Sequence, residues 1–148
     1  MSVTCQSLVA TLDQLNIRHF PDPANEATLL PYRTPAGDLL VVVRVECEGE
    51  FVSLQTQMHD RWPDETGLAR LVAEQNAVVR LVQVGLKDQR VSASAGAWVM
   101  DGKLTPKMLG RYIDNFVGAT STAFAEIRQA ASGKGAYSTS MHEIGRAA

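Results

Sequence analysis

Apolar residues recur every three or four positions across residues 4–16, where Cys5, Leu8, Val9, Leu12 and Leu15 fall on one face of a helix. Ser2 or Thr4 can supply the N-cap oxygen that accepts an otherwise orphan backbone N–H. The segment HFPDPANE then breaks regular structure, because its two prolines lock φ and withhold donors. Residues 26–32 read as a short strand ended by Pro31 and a Pro-Ala-Gly-Asp turn.

The strongest local pattern is LLVVVRVECEGEFVSLQTQM, two strands joined at Glu48-Gly49. A two-residue turn sets Cys47 opposite Glu50, Val45 opposite Val52, Val43 opposite Leu54 and Val41 opposite Thr56. That register leaves one face almost wholly apolar. Glu-Gly is a weaker turn than Asn-Gly, so a bulge with Gly49 at positive φ is an equal alternative. The opposite face carries Arg44, Glu46, Ser53, Gln55 and Gln57 together with Leu40, Val42 and Phe51, a mostly wet surface with an apolar patch.

Asp64 opens a second helix over residues 65–81, with Leu68, Leu71, Val72, Gln75, Val78 and Val79 along one side. A second hairpin turns at Asp88-Gln89 and sets Leu86 opposite Val91, Val84 opposite Ala93 and Val82 opposite Ala95. Its other face reads Gln83, Gly85, Ser92, Ser94, Gly96 and Trp98, small groups with one large aromatic at the end. The last helix spans residues 104–127, with Thr105 as N-cap and Pro106 at the first helical position, where a missing N–H costs nothing. Its apolar positions run from Met108, Leu109, Tyr112, Ile113 and Phe116 to Phe124 and Ile127, wider than one stripe. Gly110 and Gly118, eight apart, can let another element approach closely.

The order is thus α-β-β-β-α-β-β-α. Hairpin-joined strands between helices indicate an α+β fold, an antiparallel sheet packed with helices. Residues 1–130 form one domain, and residues 131–148, small, polar and without period, read as a flexible tail.

A chain of 148 residues with 45% apolar and 20% charged residues buries a core without a metal or disulfide. The net charge of −2 does not suit a protein built to coat nucleic acid or an anionic membrane. The N-terminus lacks the basic region and apolar core of a signal peptide, and no apolar run is long enough to span a bilayer, so a cytoplasmic protein is expected. Cys5 and Cys47, widely spaced, read as two reduced, buried thiols.

Candidate chemistry is sparse. His59, Asp60, Asp64 and Glu65 are the one dense group of potential ligands, and they sit where acids serve as caps and dipole partners. No nucleophile motif, phosphate loop or carboxylate pair stands out, so no catalytic residue, metal or cofactor is assigned. Lys87 and Arg90 flank one turn, while Lys103, Lys107 and Arg111 gather at the start of the last helix; together they are the candidates for an alternative role in binding single-stranded nucleic acid. The remaining oddities are apolar surface: Leu40, Val42, Phe51 and Trp98 on the sheet's second face, as a protein-binding set, and Met108, Gly110, Tyr112 and Gly118 on the last helix, as a dimer contact.

The run AEQNAVVRLVQVGLKDQRVSASAGAWVMDGKLTPKMLGRYIDNF, with its helix ending near Asn76, its hairpin and its Leu-Thr-Pro helix start, resembles the YbjN-like domain family. That family shares its fold with class I type III secretion chaperones. The resemblance implies a small homodimeric module without catalytic residues that acts through protein–protein contacts. Chaperones of this shape hold partner segments extended along apolar grooves. The chain is less acidic than many of them, which favours a cytoplasmic regulatory adaptor over a secretion chaperone.

Overall fold

In a computed structural model, which describes residues 3–62, 65–78, 81–99 and 103–133, the chain folds as three helices on one face of a six-stranded sheet. Helix α1, Cys5–Gln14, starts at a capping box: the Thr4 hydroxyl accepts from the Ser7 N–H at 3.0 Å, and the Ser7 hydroxyl accepts from the Thr4 N–H at 2.9 Å. Leu8 and Leu12 are its buried residues, one turn apart. Cys5, on the same helical side, lies exposed at the first turn, and Cys47 lies exposed in a turn. Both were expected in the core; each sits where its element has already run past the packed layer.

The strands are β1 (Phe20–Asp22), β2 (Ala27–Thr34), β3 (Gly37–Glu46), β4 (Phe51–Gln57), β5 (Gln83–Lys87) and β6 (Arg90–Trp98), in the spatial order β1-β2-β3-β4-β6-β5, every neighbouring pair antiparallel. Five strands were expected. The sixth, β1, lies in the proline-rich segment read as irregular; it is three residues long, at the sheet's edge, where Pro21 need not donate to two neighbours. Strand β2 likewise runs through Pro31, beyond the last residue that β1 pairs, instead of stopping there. Both hairpin registers are as the alternation predicts: Val43 faces Leu54, Val45 faces Val52, Leu86 faces Val91 and Val84 faces Ala93. The turn after β3 is broader than two residues, with Cys47, Glu48 and Gly49 all at positive φ, and the register runs unshifted to Glu46 opposite Phe51, so a four-residue turn closes the hairpin in place of both the two-residue turn and the bulge. The tight turn after β5 places both Asp88 and Gln89 at positive φ.

Helix α2, Glu65–Val78, buries Leu68, Leu71 and Val72 against the sheet. It stops earlier than its apolar pattern suggests: Val78 is 67% exposed and Leu81 lies outside the helix, exposed. The reason is Asn76. Its carboxamide donates to the Val84 carbonyl at 2.7 Å and accepts from the Val84 N–H at 2.8 Å, so the helix end is spent on satisfying the open edge of β5. We expect Asn76→Ala to lose about 1–2 kcal/mol, the worth of two such bonds. It should also increase concentration-dependent association, read by analytical ultracentrifugation, because an unblocked edge pairs with other edges.

Helix α3, Pro106–Gly133, crosses the sheet and seals it with Leu109, Ile113, Phe116, Phe124 and Ile127, all at 1% exposure or less. Thr105 caps it, accepting from the Met108 N–H at 3.1 Å. The helix runs three residues past the expected domain end; residues 134–148, where the tail was expected, lie outside the described residues, as does Asp64. Tyr32, half-buried, has its phenol pushed up first by burial and then by Asp114 on α3, so it stays neutral and protonated.

Candidate functional site

Alternation along a strand sends successive side chains to opposite faces. Leu30, Val41, Val43, Val52, Leu54, Val84, Val91 and Ala93 face the helices and join one core cluster with Leu12, Leu71 and Phe116. The alternate positions face away, and no described helix covers them. Cross-strand register places Phe20, Leu29, Val42, Gln55, Ser94 and Gln83 in one row of that open face. A second row holds Pro31, Leu40, Gln57, Ser92 and Gly85, and a third, at the opposite end, holds Glu46, Phe51 and Trp98.

The four residues expected to bind protein therefore share one surface. Leu40 and Val42 come from β3, Phe51 from β4 and Trp98 from β6. They form two patches rather than one. Trp98 is 60% exposed and meets Phe51 edge-to-face, ring centroids 4.9 Å apart at 67°. The Phe51 ring lies over Gly96: a Cβ there would stand 2.3 Å from its Cζ, so only glycine lets the aromatic lie flat on the sheet. Leu40, 43% exposed, and Val42 belong to the other patch, which Leu29 and Phe20 extend. Arg44 lies between the patches, donating to the Asn25 carbonyl at 3.3 Å and the Gln55 amide oxygen at 3.4 Å. The middle is paved with small polar groups: Ser53, Ser92, Ser94, Gln55 and Gln83.

Phe20 and Leu29 were missed from sequence. Phe20, whose ring carries the Arg18 guanidinium 5.1 Å from its centroid, sits in the segment whose strand went unread, so its face had no assignment. Leu29 alternates properly within β2, and its pairing with Val42 was the signal that pointed outward.

On α3 the four expected dimer contacts separate. Gly110 faces α1: a Cβ on it would meet the Leu15 side chain at 3.6 Å, an ordinary contact, so this side of the helix lies against its own chain. Tyr112 is half-buried against the core. Met108 is exposed and Gly118 faces open space; with Arg111, Asn115 and Thr122 they make one outward stripe.

The basic residues do not converge. Lys87 and Arg90 are paired at one end of β6, whereas Lys103, Lys107 and Arg111 follow its other end, eight residues or roughly 27 Å away. Of the acidic group, Asp60 is held by Arg128, with Nε to Oδ2 at 3.0 Å, while Asp64 and the Glu65 side chain lie outside the described residues. No helix among the described residues is long and apolar enough to cross a membrane.

Residues 4–129 match the family described as "YbjN: Putative bacterial sensory transduction regulator". Among solved structures, the chain is similar to the crystal structure of YbjN from E. coli, described there as "a putative transcription regulator". The TM-score is 0.69 at 17% identity, over 83% of this chain and 90% of the other, a likeness of fold. None of the curated proteins matches the sequence.

Proposed function

The chain belongs to the YbjN family, and from that premise we propose that it is a regulatory adaptor with no reaction of its own, binding another protein through the open face of its sheet. The observation that carries this reading is the pair of apolar patches, Phe51 with Trp98 and Leu40 with Val42, on a sheet face that no described helix covers. Apolar groups set in a polar surround are the usual anatomy of a protein-binding surface. The spacing of the two patches along the strand direction fits an extended segment that contacts both and crosses the small polar middle between them. A docked segment would hydrogen-bond to Ser53, Ser94 and Gln55 and lay its apolar side chains on the two patches.

We propose further that the working unit is a homodimer in the cytoplasm, joined through the outward stripe of α3 around Met108 and Gly118. Light scattering should give twice the mass of one chain; a strictly monomeric mass at high micromolar concentration would sink the dimer without touching the docking face.

The docking face has its own test. Phe51→Ser combined with Trp98→Ser should abolish capture of the physiological partner while shifting thermal stability little, because both rings lie on the wet side of the sheet. A collapse of stability would place the rings in the fold's support instead. Retained capture would move docking elsewhere.

A further inference from the structure

Strand parity also sorts the charges of the open face, and it sends opposite signs to the two ends. Arg33 pairs with Asp38 beside the turn between β2 and β3, and Lys87 pairs with Arg90 across the tight turn between β5 and β6. The Met58 N–H donates to the Val91 carbonyl, which carries the pairing of β4 with β6 past Gln57 and sets His59 beside Arg90. Arg33, Asp38, His59, Arg90 and Lys87 therefore form one more row, beyond that of Pro31, Leu40 and Gln57. Arg18, two residues before Phe20, falls on the same face, and a shallow hollow of about 530 Å³ joins it to Pro31, Arg33, Asp38, Leu40 and His59. At the far end, the row of Glu46, Phe51 and Trp98 runs into the turn that carries Glu48 and Glu50, and all three glutamates are exposed. Asp38 and Glu46, eight residues apart on β3, put roughly 27 Å between the two ends.

The basic end is only weakly answered by the chain itself. Arg18, Arg33, Lys87 and Arg90 outnumber its acids, Asp38 on β3 and Asp88 in the turn. Arg33 reaches Asp38 at 4.0 Å with the two side chains 95% and 75% exposed, so water screens the pair and leaves the guanidinium open to a better acceptor. Arg18 lies against the Phe20 ring and makes no ion pair among the described residues. Arg90 is partly buried, and its Nε has no hydrogen-bond partner among the described residues. A buried guanidinium nitrogen left unpaired is costly, and a carboxylate is the acceptor that its fork fits.

We propose that the open face takes an extended protein segment with a carboxylate-rich end. Its aspartate or glutamate side chains lie over Arg18, Arg33 and Arg90, and its apolar side chains lie beyond them on Leu40, Val42 and the Phe51–Trp98 pair. This rests on the adaptor reading and adds the chemistry of the docked segment and its lie along the strands. A single-stranded nucleic acid crossing the same face would carry phosphates over Glu46, Glu48 and Glu50 as well, where like charges repel. A segment acidic at one end alone avoids that conflict.

Random dodecapeptides displayed on phage test this without a known partner. Selection on the wild-type chain should enrich peptides with two or more aspartates or glutamates at one end and apolar residues along the rest. Synthetic copies of those peptides should bind at least tenfold more weakly to Arg18→Glu with Arg33→Glu, since charge-assisted bonds are lost and repulsion replaces them. Both side chains are exposed, so thermal unfolding should stay in place; if it does not, Arg33→Glu with Lys87→Glu serves instead. Acidic peptides that bind the folded charge variant as tightly as the wild type overturn the proposal. Peptides enriched with no acidic bias, yet lost in Phe51→Ser with Trp98→Ser, also overturn it and leave the adaptor reading standing. Binding that survives the serine pair, or no enrichment at all, overturns both. An oligothymidylate of twelve nucleotides should leave the bound peptides in place at physiological salt; displacement would overturn the proposal in favour of nucleic acid.

Discussion

Arg128→Ala should lower folding stability by about 3–5 kcal/mol, the usual cost of removing one member of a buried ion pair. The guanidinium sits under the far end of α3 and makes three bonds: Nε to Asp60 Oδ2 at 3.0 Å, Nη2 to Asp60 Oδ1 at 3.4 Å, and Nη1 to the Ala36 carbonyl in the turn between β2 and β3. Both charged side chains are only 12% exposed, so water screens them weakly. Truncation leaves the Asp60 carboxylate buried without a counter-charge, and that residual charge carries most of the loss. Replacing both partners, Arg128→Met with Asp60→Leu, should therefore recover much of it, because the pair itself is worth little against apolar packing. Urea denaturation reads both variants, and a shifted midpoint at unchanged slope marks a true stability change. A loss below about 1 kcal/mol for the single variant would mean that the pair behaves as a surface one.

That clamp also gives Asp60 a partner that its neighbours in sequence do not reveal. Asp60 and Arg128 are 68 residues apart, and no local pattern links them. Local pattern does carry the strands: the alternation of Val41, Val43 and Val45 against Val52 and Leu54 admits one register, since a slip by one residue would put the apolar set in water. Local pattern fails where a residue's neighbour in space is not its neighbour in sequence. Val78 continues the apolar period of α2, yet it is 67% exposed, and Asn76 bonds across to Val84.

The candidate docking face divides along the same line. Leu40, Val42, Phe51 and Trp98 are legible because strand parity alone puts them outward. That Trp98 joins Phe51 is not, because β4 pairs with β6 and not with β5, and that choice depends on how α2 crosses over. Parity also exposes what Gly96 is for. In sequence it is one more small residue on a smooth face; in space it lies beneath the Phe51 ring, and that contact holds the aromatic pair in place. Gly110 shows the opposite case: its smallness suggested a partner's approach, and the element that approaches is α1 of the same chain.

Trp62→Ala should cost about 3–5 kcal/mol as well, by the loss of a large buried ring and the cavity left behind. Trp62 is fully buried and ties the segment after β4 to the β5–β6 hairpin: its backbone N–H donates to the Gln89 carbonyl at 2.9 Å, and Met58 donates to Val91 at 2.8 Å just before it. Its indole Nε1 has no hydrogen-bond partner among the described residues, so packing is the ring's main contribution. Trp62→Phe, which removes an unpaired polar atom together with part of the volume, should then lose markedly less than Trp62→Ala. Equal losses would show that the indole N–H matters. The same substitution separates folding from docking. The chain has two tryptophans, Trp62 in the core and Trp98 on the open face. In Trp62→Phe the remaining emission comes from Trp98 and should be red-shifted, as for an indole in water. A partner that docks on the aromatic patch must dehydrate that ring and move the emission to the blue. Binding without such a shift would place the partner away from Phe51 and Trp98, even with the fold intact.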